Sequence, residues 1–318
     1  MPSTRVATHT SIHPSPAPAV LDLPRAVLAT LAYADLFDHP LTAAEVHRHL
    51  VAAPATLEEV TEALHRAPRL VRRATPSGAF FTLAGREAIV EVRRRREACA
   101  ARLWPRARRW GRVFGALPFV RMVAVTGALA VDAVEPGADI DYLVVASPGR
   151  VWLCRALVTA LARAARSAGT LLCPNYVLSE RALALAERTL YTAHELVQMV
   201  PLAGPETWER MREANPWVAT FLPNTGGVRP TAVTARPVGG TLARLGEAAL
   251  RGRPGDRLEA GLARWQASHL QQKITRGDLS GREAAFGAEG YKGHFDAHGA
   301  RILAAWETRL RQLDGAWA

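Results

Sequence analysis

Two carboxylates one residue apart, Asp139 and Asp141, stand in the run Ala138-Asp139-Ile140-Asp141-Tyr142-Leu143-Val144-Val145. Side chains alternate with period two along a strand, so both acids project from one face while Ile140 is buried behind them. Like charges this close repel each other and resist burial unless a cation neutralises them, and paired hard oxygen donors suit Mg²⁺. Twelve residues before Asp139 lies Gly127, in Val125-Thr126-Gly127-Ala128-Leu129-Ala130. Glycine permits a tight turn at a strand end, where the amides of Gly127, Ala128 and Leu129 open a helix and form a seat for phosphate oxygens. A phosphate seat beside a metal pair makes a site for nucleotidyl transfer. Alone, a Gly-small pair carries nothing and Asp-x-Asp can be turn chemistry; the joint pattern is far more specific.

The surrounding periodicity predicts the elements that hold these residues. Residues 119–126 form a β-branched run, 127–128 a turn, 129–133 a short helix, and 139–146 an apolar strand. A helix over 151–168 and a strand over 170–178 complete a β-α-β-α-β core. Upstream, helical spacing over 23–37 is followed by capping boxes, Thr42 with Glu45 and Thr56 with Glu59, the second opening a helix over 57–66. Extended runs at 70–73 and 79–83 flank Ser77-Gly78 as a hairpin, so three short helices and a hairpin give the winged-helix order. Residues 85–114 read as an arginine-laden connecting helix interrupted by Pro105. Downstream, 182–187, 193–200 and 206–214 read as helices, before a Gly/Pro/Thr/Val linker and a mostly helical C-terminal region. The expected organisation is a flexible tail (1–20), a winged-helix-like module (21–84), a basic connecting helix (85–117), the α/β core (118–225), a linker (226–240) and the helical C-terminal region (241–318).

The chain's 318 residues allow two or three cores, and 49% apolar with 22% charged residues is ordinary globular composition. Candidate spanning stretches such as 152–172 are broken by Arg155, Arg163 and Arg166, which excludes a membrane protein. Three isolated cysteines, Cys99, Cys154 and Cys173, without a CxxC pair fit a reducing cytoplasm, and no secretory pattern opens the chain. A net charge of +11 favours polyanionic partners. Only Lys273 and Lys292 are lysines, and arginine with abundant alanine also reflects a GC-rich coding sequence. His47 and His49, two apart on a helix, cannot share a metal; His294 and His298 have better spacing but read as a surface pair. His194-Glu195 lacks the second histidine of a zinc-protease motif.

Gly127-Ala128, then twelve residues, then Asp139-x-Asp141 resembles the Gly-Ser…Asp-x-Asp pattern of the polymerase-β-like nucleotidyltransferase superfamily. The runs Gly149-Arg150-Val151-Trp152-Leu153-Cys154-Arg155, Leu172-Cys173-Pro174-Asn175-Tyr176 and Ala214-Asn215-Pro216-Trp217 are similar to a bacterial group of nucleotidyltransferases. So is Tyr33-x-Asp35-x-Phe37-Asp38-x-Pro40-Leu41-Thr42 in the N-terminal module. The resemblance covers most of 21–225 and implies an α/β fold class: an α+β nucleotidyltransferase core with a mixed sheet, an N-terminal winged-helix-like domain and a helical C-terminal region. It also implies that Asp139 and Asp141 hold Mg²⁺ or Mn²⁺ against an NTP, with the turn at Thr126, Gly127 and Ala128 on its phosphates. Attack by an acceptor on the α-phosphorus would release pyrophosphate. Arg155 is a candidate phosphate clamp, with an exposed helix arginine as the alternative, and Trp152 packs on the sheet or stacks on a base. The acceptor (small molecule, RNA or protein) is left open.

Two departures matter. Ala128 replaces the usual serine, at a cost of about 1–2 kcal/mol of phosphate binding. The strand that usually carries a third carboxylate offers only Asn175, with Glu180 expected beyond its end. Competing readings are therefore a catalytically silent nucleic-acid-binding regulator or an antitoxin-like transferase acting on a protein. The third N-terminal helix carries Glu58, Glu59 and Glu62, which repel phosphates, whereas Arg66, Arg69, Arg72 and Arg73 on the hairpin side favour them.

Overall fold

A computed structural model describes residues 20–75, 78–225, 238–276, 285–292 and 298–315. The expected tail up to residue 19, most of the linker (226–237) and His294 lie outside these residues. The chain opens with α1 (Leu23–Asp35), α2 (Ala43–Arg48), α3 (Leu57–Arg66) and the antiparallel hairpin β1 (Leu70–Thr75) and β2 (Gly78–Leu83). Both capping boxes form: Glu45 N–H donates to Thr42 Oγ1 at 3.3 Å while Thr42 N–H donates to Glu45 Oε2 at 2.8 Å, and Thr56 with Glu59 repeats the device. The long α4 (Ile89–Gly115) follows, and it runs through Pro105. Pro105 and Ala101 both face solvent, so water can take the carbonyl that proline leaves without a donor.

Then come β3 (Val120–Val125), α5 (Gly127–Ala130), β4 (Ile140–Ala146), α6 (Val151–Ser167) and β5 (Leu172–Ser179), the β-α-β-α-β order read from the sequence. The chain continues through α7 (Leu190–Gln198), β6 (Val200–Ala203), α8 (Pro205–Glu213) and α9 (Val218–Phe221). It ends with α10 (Thr241–Ala249), α11 (Arg253–Thr275), β7 (Ala285–Phe286), β8 (Gly290–Lys292) and α12 (His298–Gly315). The central sheet is mixed, with order β6-β3-β4-β5-β8-β7; β4 and β5 are parallel and the other neighbours antiparallel.

Two expectations are corrected, while the mostly helical C-terminal region is found. Residues 182–187 are not helical, because buried Asn215 captures this backbone: its amide donates to Leu183 O at 2.7 Å and its carbonyl accepts from Leu185 N–H at 2.9 Å. The helix expected over 193–200 starts earlier and stops before Val200, which opens β6 on the sheet edge, where Pro201 is tolerated. The C-terminal region is helical except for β7 and β8, which extend the central sheet beyond β5.

Each sheet face has its own core. Ile140, Tyr142, Val144 and Ala146 pack with α4, α6 and α11, while Leu143 and Val145 pack with α1, α7, α9 and α12. Helix α1 thus belongs to both the N-terminal cluster and the second face, through Ala29 and Tyr33. Polar latches reinforce this contact. Buried Asp35 accepts from Arg86 at 2.7 Å and pairs with Arg309 of α12, and Trp306 Nε1 donates to Ala29 O at 3.0 Å. Buried Arg93 of α4 forks onto Glu45 of α2 through two 2.8 Å hydrogen bonds and reaches Glu97. Burial pushes the Glu45 carboxyl up, but Arg93 overrides it and holds the pKa at about 2. Arg93→Ala is expected to cost about 2 kcal/mol, read from the urea midpoint, because it leaves the half-buried Glu45 carboxylate with only its Thr42 capping bonds. Among the described residues, no helix is long and apolar enough to cross a membrane.

Candidate functional site

The site lies where β3 ends and β4 begins. Thr126 N–H donates to Asp141 O at 3.1 Å, the last rung between these strands. The chain then turns at Gly127 with φ +63, in the left-handed region. A Cβ built on Gly127 would lie 2.5 Å from Asp141 Oδ2, so the turn is closed directly onto that carboxylate. Glycine is thus required twice, by its backbone angle and by the space the acid occupies. Gly127→Ala is expected to lower stability by about 2 kcal/mol and to displace Asp141, weakening divalent-ion binding. Thermal denaturation and a metal titration check the two effects.

Asp139 is exposed and Asp141 half-buried, and alternation puts both on the face of Leu143 and Val145. Cys173 stands opposite Asp141 in the parallel β4–β5 register. Ligand atoms of Asp139, Asp141 and Cys173 all lie within 4.8 Å of one another. The register then slips, Leu143 pairing with Tyr176, so β5 spends an extra residue around Pro174. Proline cannot donate to the ladder, and a bulge is where a central strand tolerates it. Asn175, within this bulge, donates from Nδ2 to Asp141 Oδ1 at 3.0 Å.

The electrostatics of the aspartate pair are those of two acids without an ion-pair partner among the described residues. Despite the chain's +11 charge, no arginine or lysine forms an ion pair with Asp139 or Asp141 among the described residues. Burial, then the Asp139 charge, then that of Glu195, push the Asp141 pKa up to about 7, against a lowering hydrogen bond from the Cys173 thiol. Burial, the charges of Asp141 and Asp139 and hydrogen bonds to both carboxylates push that thiol up to about 12. Burial also raises Glu195 on α7 to about 7, opposed by Lys292 and a Tyr191 hydrogen bond and reinforced by Glu187. Two carboxylates and a thiol, with Asp139 open to solvent, can accept a divalent ion and leave positions for a substrate's oxygens.

Other sequence candidates fall elsewhere. Arg155 belongs to α6, on the opposite face of the sheet, where it donates to Gln266 and lies 3.9 Å from the centroid of the Tyr291 ring. It is therefore not a clamp beside the Gly127 turn. Trp152 on the same helix is buried, with Nε1 donating to Gly287 O at 3.1 Å, so it packs on the sheet rather than stacking on a base. Glu180 follows the far end of β5 and pairs with Arg210 at 2.8 Å, which removes it as a third acid and leaves Asn175 in place. Thr126 and Ala128 flank Gly127 at the turn, Thr126 buried and Ala128 exposed.

Glu195 and Cys173 are the members that sequence reasoning missed. Glu195 comes from a helix some fifty residues beyond the pair, on the side of Tyr191 and Gln198, and spacing along the chain gives no sign that it approaches Asp141. Cys173 was legible as a ligand only with the β4–β5 register in hand. A cavity of about 390 Å³, lined by Arg48, Leu196, Trp208 and Arg212 among others, includes none of these residues. No family model, curated protein or solved structure matches the chain.

Proposed function

We propose that the chain is a metal-dependent nucleotidyltransferase, moving an NMP from an NTP to an acceptor with release of pyrophosphate. The observation that carries this reading is the closure of the Gly127 turn onto Asp141, with Asp139 beside it on the same face. In this reading residues 118–225 form a nucleotidyltransferase core of the polymerase-β-like kind, and 21–84 a winged-helix-like module. The donor set fits a divalent ion: two carboxylates with no cationic partner among the described residues, one of them half-buried. Asp139 and Asp141 would hold Mg²⁺ or Mn²⁺, which when bound supplies positive charge against the triphosphate.

The remaining chemistry belongs to the chain. Backbone amides of Gly127 and Ala128 border the pair and offer donors to phosphate oxygens without a side chain intervening. Asn175 fixes the Asp141 carboxylate by its hydrogen bond, so its orientation is set before substrate arrives. The acceptor's oxygen or nitrogen bonds to the α-phosphorus as the bond to the bridging oxygen breaks; pyrophosphate leaves and the acceptor's proton passes to water. The turn, not an arginine from α6, carries phosphate recognition.

A second reading has one observation in its favour: opposite Asp141, β5 presents Cys173 and Asn175 rather than an acid. In that reading the fold binds nucleotide or nucleic acid without transfer. Incubation with each NTP labelled at the α-phosphate, a divalent ion and small-molecule, RNA or protein acceptors separates the two. Transferred label that vanishes in Asp139→Ala and Asp141→Ala supports the enzyme; duplex binding unchanged by those substitutions, without transfer, supports the regulator.

A further inference from the structure

The thiol in the acidic cluster bears on which ion the site prefers. Cys173 is held opposite Asp141 by the parallel register, and its sulfur lies within 4.8 Å of a carboxylate oxygen of both Asp141 and Asp139. A side chain that merely filled the core would bury its sulfur among apolar groups; this one is half-buried and turned toward two oxygens. The other cysteines differ: Cys154 is buried on α6, its thiol 3.6 Å from Pro118 O, and Cys99 lies on α4. Ligands of one tetrahedral ion stand roughly 3.3–3.7 Å apart when metal–sulfur and metal–oxygen bonds are about 2.3 and 2.1 Å. The Asp139, Asp141 and Cys173 atoms, within 4.8 Å of one another, need about an ångström of side-chain movement to reach that geometry.

We propose that Asp139, Asp141 and Cys173 together form a three-ligand site for a thiophilic divalent cation of the zinc class, Cys173 making the site discriminate such ions from Mg²⁺. The proposal rests on the reading of the aspartate pair as a metal site and adds the identity of the preferred ion. Sulfur contributes little to a hard ion, which takes oxygen donors, and much to Zn²⁺ or Cd²⁺. As the metal–sulfur bond forms, the thiol proton is released to water. Three protein ligands leave a fourth position open, as in sites that bind a substrate atom rather than serve only to stabilise the fold.

The test uses the full chain, reduced and freed of metal, titrated with Cd²⁺ alone and followed by ultraviolet sulfur-to-cadmium charge-transfer absorption. The expected result is a band saturating at one equivalent. Cys173→Ser abolishes it and weakens Cd²⁺ binding at least about tenfold, while Mn²⁺ affinity, read by water-proton relaxation, changes less than about threefold. Cys99→Ser keeps the band. Cys173→Asp, a second variant that retains a ligand, reverses the order by tightening Mn²⁺ and weakening Cd²⁺. A wild-type chain without the band, a band that survives Cys173→Ser, or one lost in Cys99→Ser overturns the proposal. Its failure is distinguishable from that of the proposed reaction: label transfer with Mg²⁺ but no band sinks only the thiol ligand. A band without transfer sinks only the reaction.

Discussion

Asp141→Asn is expected to lower nucleotidyl transfer at least about a thousandfold, with the fold intact. Asp141 is the group on which the local structure converges: the Gly127 turn closes on it, Asn175 donates to it and Cys173 faces it across the strands. Asparagine keeps the shape and removes the charge, so the loss reports charge rather than packing. A divalent ion neutralising a transferring triphosphate supplies several kcal/mol, and roughly each 1.4 kcal/mol is a factor of ten in rate. Initial rates of label transfer measure the effect, with circular dichroism confirming the fold. A variant that retains more than about a tenth of the wild-type rate removes Asp141 from the chemistry.

The second expected result concerns stability without metal. Asp141 and Glu195 each have a pKa near 7 in the folded chain, above ordinary values of 3.8 and 4.5. The folded state therefore holds protons that the unfolded state releases. Their contribution is fully present below the ordinary values and is lost as pH rises through about 7. For Asp141 the upper bound is about 4 kcal/mol at pH near 8; its partial exposure and coupling to Glu195 reduce it. In EDTA, Tm should fall between pH of about 5 and about 8, Asp141→Asn should flatten that fall, and a divalent ion should restore stability at the alkaline end. The Arg93–Glu45 pair acts in the other direction, since Glu45 is lowered to about 2 and its contribution disappears as pH falls through that value. Melting curves across the pH range check this; a Tm that is flat or rises on the alkaline side contradicts it.

Local rules made part of the architecture legible. Thr42/Glu45 and Thr56/Glu59 located helix starts because a capping box is a contact within four residues. Strand parity put Asp139 and Asp141 on one face because alternation needs no tertiary information. What failed depended on partners distant in the chain. Residues 182–187 have helical apolar spacing, yet Asn215 takes their backbone. Strands β6, β7 and β8 span four, two and three residues, too few for alternation to show. Arg155 was misplaced because its position early in α6 says nothing of which face of the sheet the helix covers. The tyrosine-to-threonine run in the N-terminal module is explained in part by latching: Asp35 and Asp38 pair with Arg86, and Tyr33 stacks on His194 at 4.2 Å.

Mn²⁺ titration of the metal-free chain, followed by water-proton relaxation, reads whether the paired aspartates beside the glycine turn capture one divalent ion. One ion should bind to the wild-type chain, and Asp139→Asn and Asp141→Asn should each weaken it, the latter by at least about a hundredfold. Mn²⁺ binding of the same strength in both variants and the wild type would contradict the account.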